Sequence, residues 1–330
     1  MTTTTDNVST SRVPVPDSRR PCLGILVSHL REEEKLILAA ARELGVETVV
    51  LQDRTLALDL SCPEPPAVDV VLDRCVAHTR GYYALRIFEG WGIPTINPSA
   101  AVATCDDKAL MSLAFATAAV PALRTAVAFT VESALTIGER FGYPLVIKPV
   151  SGSWGRLLAR ANSPESLRTI LEQKRALGGP QHSVFYIQEY VNKPGRDIRV
   201  FYVGGEVIAA SYRNAEHWIT NVARGATSTA CPFTPDIVAI SRAAASSVGA
   251  QIAGIDLVET ADGLKVIEIN GGAEFKGLRS TTDVPIAKVI VEHAVSRGSG
   301  NGNREPGVSK GHTPSNTPES RIPIPDRHTN

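Results

Sequence analysis

Two rhythms of apolar and polar positions run along this chain. LGILVSHL (residues 23–30) is a nearly unbroken apolar run, which predicts a buried strand. EEEKLILAAARELG (32–45) spaces its apolar positions three and four apart, which predicts an amphipathic helix. ETVVLQ (47–52) and VDVVLDR (68–74) read as strands, and ALRIFEGWG (84–92) and CDDKALMSLAFATAAV (105–120) return to helical spacing. This alternation predicts an α/β lobe ending near Cys105. No GxGxxG follows its first strand, which argues against a dinucleotide-binding Rossmann domain.

Beyond Val120 strands come in pairs, with helices between them. TAVAF, the helix VESALTIGERFG, YPLVIKPV, a glycine-rich turn, RLLARA and the helix SPESLRTILEQKRALG make one α+β unit. After VFYIQEYV comes IRVFYVGGEVIAASY, a hairpin with Gly204-Gly205 as its turn. The helix TPDIVAISRAAASSVGA, the hairpin AGIDLVETADGLKVIEIN and the helix IAKVIVEHAV close the chain's folded part. The expected organisation is a disordered tail over 1–20, an N-terminal α/β lobe over 21–105, a central lobe over 106–185, a C-terminal lobe over 186–297, and a polar, aperiodic tail over 298–330.

Composition narrows the function classes. With 34 Lys plus Arg against 34 Asp plus Glu there is no basic excess, so a general nucleic-acid binder is disfavoured. No apolar run reaches membrane-spanning length, and the start of the chain lacks the apolar core of a secretory signal. Cys22, Cys62, Cys75, Cys105 and Cys231 are odd in number and widely spaced, which predicts reduced cytoplasmic thiols.

The last hairpin carries the sharpest chemistry. A three-residue turn, Ala261-Asp262-Gly263, pairs Glu259 with Lys265 and sets Asp256 opposite Glu268, with Asn270 one step on along the same face. Two carboxylates about 5 Å apart repel by roughly 3 kcal/mol at an effective dielectric near 20. Solvent screening, protonation of one acid, or a cation between them would each relieve that. Two carboxylates and an amide oxygen are hard ligands, suited to a magnesium ion that also holds nucleotide phosphates. The spacing alone fits an exposed hairpin edge equally well.

Other motifs point the same way. Lys148 ends the run YPLVIKPV, and Ser151-Gly152-Ser153-Trp154-Gly155 follows at once, a turn able to cradle phosphate oxygens. Lys108 offers a second cation just inside a helix, and the strand end Gln188-Glu189-Tyr190-Val191 leads into a bend before Pro194-Gly195. Asp197 and Arg199 share a strand face. An ideal hairpin through Gly204-Gly205 pairs Arg213 with Arg196, on the opposite face from Arg199, so a bulge is required if both arginines serve one site.

In this order the pieces resemble the ATP-grasp superfamily. GSWGRLLAR, FYIQEYVNKPGRDIRVF and HWITNVARG are similar to the LysX and ArgX ligases, relatives of RimK that attach an amino acid to a small amino-group carrier protein. The resemblance spans about Leu23 to Val295. It implies an ATP-grasp fold behind a pre-ATP-grasp α/β lobe, with ATP between the central and C-terminal lobes. Lys108 and Lys148 would neutralise the phosphates, Ser151–Gly155 would close over them, Gln188–Val191 would hold adenine and Asp197 would lie near the ribose. Asp256, Glu268 and Asn270 would hold two magnesium ions, and Arg199, Arg213 and Asn221 would steady an acyl phosphate.

The resemblance also implies substrates. The loop after the magnesium motif, Gly272-Ala273-Glu274-Phe275-Lys276-Gly277, matches the glutamate-using pattern, so L-glutamate is the expected amino acid and 2-aminoadipate the alternative. Lys276 would meet a carboxylate and Glu274 an ammonium, with Phe275 anchoring the loop, unless the two charges simply pair. His217 and Trp218 would line the acceptor pocket. The partner would be a small acidic carrier ending in glutamate, drawn in by Arg156, Lys193, Arg196, Arg224 and Arg279. A RimK-like ligase acting on another protein tail or peptide is the rival reading. A cytoplasmic homo-oligomer, commonly a tetramer in such enzymes, is expected. His29 and Arg74 sit at the lobe edge where ligands bind.

Overall fold

The structure is a computed structural model that describes residues 20–152, 157–215, 217–218 and 225–298. Three sheets organise it. β1 (Cys22–Val27), β2 (Glu47–Gln52), β3 (Val70–Arg74) and β4 (Thr95–Ile96) form a parallel sheet in the order β2-β1-β3-β4. α1 (Glu32–Glu43), α2 (His78–Gly90) and α3 (Ser99–Asp106) connect it. The helical spacing over 105–120 is broken at Asp107, whose carboxylate accepts from the N–H groups of Ala109 and Leu110. That cap starts α4 (Lys108–Thr117) afresh and makes Lys108 its first residue.

β5 (Thr125–Ala128), β6 (Leu145–Lys148), β7 (Ala159–Ala161) and β8 (Phe185–Glu189) form an antiparallel sheet ordered β5-β8-β6-β7. α5 (Val131–Phe141) and α6 (Pro164–Ala176) cover it through Ala134, Leu167 and Leu171. The third sheet comprises β9 (Arg196–Val203), β10 (Glu206–Asn214), β11 (Thr227–Ala230), β12 (Ile252–Thr260) and β13 (Gly263–Asn270), in the order β11-β10-β9-β12-β13. The edge strand β11 lies in a polar stretch that sequence periodicity did not mark.

One face of this third sheet packs Ile198, Val200, Ile255 and Leu257 beneath α7 (Pro235–Val248). The other face packs Phe201, Val203 and Ile252 against β1, α1 and α8 (Ile286–Gly298). Strand alternation therefore puts Asp197, Arg199 and Asp256 on the face shared with the N-terminal lobe, beyond its apolar part. Among the described residues no helix is long and apolar enough to cross a membrane. The five cysteines are free thiols.

Both hairpins of the third sheet depart from ideal pairing. In the first, Val203 pairs with Glu206 across the expected two-glycine turn, but the register shifts between Val207 and Ala209. The bulge brings Arg213 opposite Asp197, not Arg196, and onto the face of Arg199. In the second, Thr260 pairs with Gly263, so the turn is the two residues Ala261-Asp262 and not the three-residue loop expected. A register shift between Asp256 and Leu257 leaves Ile267 as the extra residue and restores the pairing of Asp256 with Glu268.

Asn97, 2% exposed just after β4, ties the parallel sheet to the third one. Its Oδ1 accepts from the backbone N–H groups of Gln251 (2.7 Å) and Ile252 (2.8 Å), and its Nδ2 donates to the carbonyls of Ile252 and Gly271, each at 2.7 Å. One amide thus fixes both the start of β12 and the exit of β13. Asn97→Asp keeps the shape but aims a carboxylate at two buried carbonyls. The expected loss is about 3 kcal/mol of stability, read as a lower urea midpoint; an unchanged midpoint would show that this junction bears no load.

Candidate active site

The register of the third sheet lines up one residue from each of four strands. Ser211 on β10 faces Arg199 on β9, Arg199 faces Asp256 on β12, and Asp256 faces Glu268 on β13. Arg213 enters from β10 with its Nε 2.6 Å from Asp197 Oδ1 and its Nη2 3.0 Å from Asp256 Oδ2. Arg199 Nη1 lies 3.1 Å from Asp256 Oδ1 as an ion pair, though neither atom is aligned for a hydrogen bond. Burial alone would make the Arg213 guanidinium a weaker base, but Asp256 and Asp197 outweigh it and hold the charge firmly in place.

Guanidinium groups sit against Asp256, a route absent from the sequence expectation, but they only partly offset burial, which with Glu268 pushes the Asp256 carboxyl above the ordinary aspartate range. Glu268 is compensated from the other side. Burial pushes its carboxyl up, yet Lys148, Lys108 and Arg199 draw it below the ordinary glutamate range. Lys148 is 6% exposed at the end of β6, and burial lowers its pKa against the pull of Glu268. Lys108 donates from Nζ to the Gly152 carbonyl at 2.7 Å, so it touches the start of the glycine loop. Ser151 bridges to Asp107. Ser153, Trp154, Gly155 and Arg156 lie outside the described residues, as do Asn221 and Arg224.

A cavity of about 560 Å³ opens above this row, with Arg199, Arg213, Glu268 and Asn270 on its floor. A smaller one of about 80 Å³ shares Glu268 and Asn270 and adds Lys108, Ser151 and Gly152. Among the described residues no cluster of three His, Cys, Asp or Glu side chains is placed to hold a metal ion. The oxygen donors that converge here are two carboxylates and the Asn270 amide. Glu268 and Asn270 face both cavities, whereas both oxygens of Asp256 lie against arginines.

The Gly272–Gly277 loop forms one wall of the larger cavity and is held from the N-terminal lobe. Arg74 Nη1 donates to the Ala273 carbonyl (2.8 Å), and Glu33 Oε1 accepts from the backbone N–H groups of Phe275 (2.7 Å) and Lys276 (2.5 Å). Phe275 is 1% exposed and packs edge-on against Phe201. Glu274 pairs with Arg31 at 2.5 Å, not with Lys276, whose side chain is exposed on the cavity wall. Arg74 is buried between Glu33 (2.6 Å) and Glu34 (3.1 Å), so it buttresses the loop and does not face the cavity. His29 is exposed and lines neither cavity.

Other expected residues are placed differently. Asp197 is 3% exposed, gripped by Arg213 and by Lys193 (3.4 Å), which leaves it buried as an anchor for arginine and not open to a ribose. Gln188 turns its amide inward to Tyr186 (3.2 Å) and Thr125 (3.3 Å), and Glu189 accepts from the Arg124 N–H (2.8 Å). Tyr190 is half-buried, with Arg160 over its ring and Trp218 edge-on at 6.2 Å. Val191 follows β8 and accepts from the Lys193 N–H at 3.0 Å. His217 and Trp218 lie beside each other and line neither cavity. Lys193, Arg196 and Arg279 are each paired with a carboxylate, of Asp197, Glu259 and Glu32, so the expected basic face is locally neutralised where it is described.

Sequence reasoning missed Arg31, His78 and Asp106, all of which line the larger cavity. For Asp106 there was a signal in the doubled acid Asp106-Asp107: a helix start uses one carboxylate as its cap and frees the other.

Residues 23–104 match the LysX preATP-grasp domain and residues 105–294 match the RimK-like ATP-grasp domain. An alpha-aminoadipate–LysW ligase LysX from Saccharolobus solfataricus is 31% identical over 80% of this chain and 97% of its own length. A glutamate–LysW ligase ArgX from Sulfurisphaera tokodaii is 31% identical over 82% of this chain and 96% of its own. The crystal structure of a RimK domain ATP-grasp protein from Sphaerobacter thermophilus superposes with a TM-score of 0.71 at 23% identity, covering 84% of this chain and 99% of that one. With the strand row, the lysines and the loop wall all falling inside these matches, the chain is a member of the RimK-like ATP-grasp ligases of the LysX and ArgX kind.

Proposed function

We propose that this chain joins the α-amino group of L-glutamate to the side-chain carboxylate of a C-terminal glutamate on a small acidic amino-group carrier protein, at the expense of ATP. One observation carries this reading. The cavity of about 560 Å³ sets Arg199, Arg213, Glu268 and Asn270 opposite a loop whose exposed cation is Lys276. The floor suits a phosphorylated carboxylate, and the wall suits an amino acid with an acidic side chain. The LysX and ArgX relatives differ in amino acid by name and are equally similar here, so the glutamate assignment rests on the loop sequence.

Each group has a task in this reading. Lys148 and Lys108 neutralise the phosphates of ATP, the Ser151–Gly155 loop covers them, and the Gln188–Val191 segment receives adenine through its backbone and Tyr190. Arg199 and Arg213 steady the acyl phosphate and its tetrahedral successor, joined by Asn221. Asp197 holds Arg213 in register and stands back from the nucleotide. Lys276 meets the side-chain carboxylate of glutamate, Glu274 its ammonium, and Phe275 fixes the loop beneath them. His217 and Trp218 belong with Tyr190 at the edge of the acceptor path.

The donor set fits magnesium. Glu268 and Asn270 present hard oxygens to the cavities, and Asp256 completes the set from its place between two arginines. Bound there, the ion supplies positive charge at the transferring phosphoryl group. Two ions are part of the proposal.

Mixing enzyme, ATP, glutamate and carrier is expected to add one glutamyl residue to the carrier's mass, with 2-aminoadipate the poorer substrate in a parallel assay. No ATP-dependent mass gain would remove the assignment. Glu268→Gln should lower kcat by about 100-fold or more, since it removes a charge that counts during phosphoryl transfer. Lys276→Ala should raise KM for glutamate by about 10-fold with kcat little changed, the signature of lost uniform binding; a fall in kcat alone would place Lys276 elsewhere.

A further inference from the structure

The amide-forming step needs a proton acceptor, because an amino acid arrives as an ammonium ion and only the free amine attacks. Apart from Lys276, which the reading above assigns to the amino acid's carboxylate, five groups among the described residues lining the larger cavity can in principle accept a proton: Cys75, His78, Asp106, Glu268 and Glu274. Burial pushes the Cys75 thiol far up, so it stays protonated and is no base. Glu274 is pinned by Arg31 at 2.5 Å. Glu268 is held in its charged form by Lys148 and Lys108, which makes it a poor base. His78 and Asp106 remain, and they are a pair: His78 Nδ1 lies 3.1 Å from Asp106 Oδ2.

From this geometry we infer that His78 is the general base for the incoming amine and that Asp106 positions it, an inference that rests on the ligase reading above. His78 opens α2 in the N-terminal lobe, and Asp106 closes α3 at the very start of the ATP-grasp match. The pair lines both cavities, between the loop wall and the side holding Lys108 and Gly152. With Nδ1–H donated to Asp106, Nε2 is left as the basic nitrogen. The His78 and Asp106 side chains are 48% and 31% exposed, enough to return a proton to solvent.

The step balances as follows. The ammonium gives one proton to Nε2, and the freed lone pair forms the C–N bond at the acyl carbon. As the tetrahedral centre collapses, the C–O bond to phosphate breaks and its electron pair leaves on phosphate oxygen. The second N–H proton goes to the departing phosphate, and His78 then releases its proton to water. The charges facing His78 are Asp106 from α3, Asp73 from β3 and Lys108 from α4, with Glu268 of β13 across the smaller cavity. The hydrogen bond to Asp106 leads in raising its pKa, against burial and Lys108. A raised pKa keeps the imidazole protonated to higher pH, so ligation should climb as pH rises through that range.

Hydroxylamine tests the assignment, because near neutral pH it attacks acyl phosphates without first shedding a proton. For wild type and His78→Gln, the rates of carrier hydroxamate and of glutamyl-carrier formation are compared from pH 5 to 9. In His78→Gln the ratio of hydroxamate to glutamyl product should rise about 100-fold, and the acidic limb set by His78 should give way to a steady climb that follows the free amine up to alkaline pH. Asp106→Asn should retain that limb but shift it to lower pH. An unaltered ratio in His78→Gln, or an Asp106→Asn profile that does not move, overturns the inference. Absence of ATP-dependent hydroxamate with wild-type enzyme would instead overturn the ligase reading itself.

Discussion

A charge removed from water must find its opposite within a few ångströms, and the centre of this molecule is arranged around that constraint. Asp197, Asp256 and Arg213 are all buried, and Arg199 reaches the same ladder. Together they form an alternating set in which each acid touches a guanidinium. Glu268 extends the row to the strand edge, where Lys148 and Lys108 approach from the neighbouring sheet and helix. The larger cavity opens where this set meets open space, so the same electrostatics that permit burial also leave a cationic floor, the surface our proposal gives to a phosphorylated carboxylate.

Register is what makes the set possible. Without the shift between Val207 and Ala209, Arg213 would turn to the face beneath α7, opposite Arg196, whose partner Glu259 is already engaged. Without the extra residue at Ile267, Glu268 would lose its place beside Asp256. A single residue inserted into a strand reverses every side chain beyond it, and here two such insertions are used to aim charges. Asn97 then fixes the sheet against the N-terminal lobe at the point where β12 begins and β13 ends.

Much of this was legible from the residues. The α/β start, the later strand pairs and both hairpins follow from apolar periodicity and turn chemistry. The Asp256–Glu268 pairing is reached from sequence only through a three-residue turn, which the structure replaces with a two-residue turn and a bulge. Sequence could state only that a bulge is required if Arg213 is to join Arg199; the structure supplies it between Val207 and Ala209. What sequence does not carry is partnership at a distance. Nothing near Arg74 shows that Glu33 and the Ala273 carbonyl will enclose it, and Asp197 looked open because Arg213 and Lys193 reach it only in three dimensions. His78 and Asp106 escaped notice for the same reason, being 28 residues apart with no motif between them.

The clasp on the Gly272–Gly277 loop has a consequence for how selectivity is inherited. Arg31, Glu33 and Arg74 hold that loop from the opposite end of the chain, by one side-chain and three backbone attachments. On the proposed reading of that loop, choice of amino acid is a joint possession of two distant stretches of sequence. Grafting the six-residue segment onto a relative that lacks these three partners would transfer the letters without their conformation, and lineages that switch amino acid should alter both stretches together.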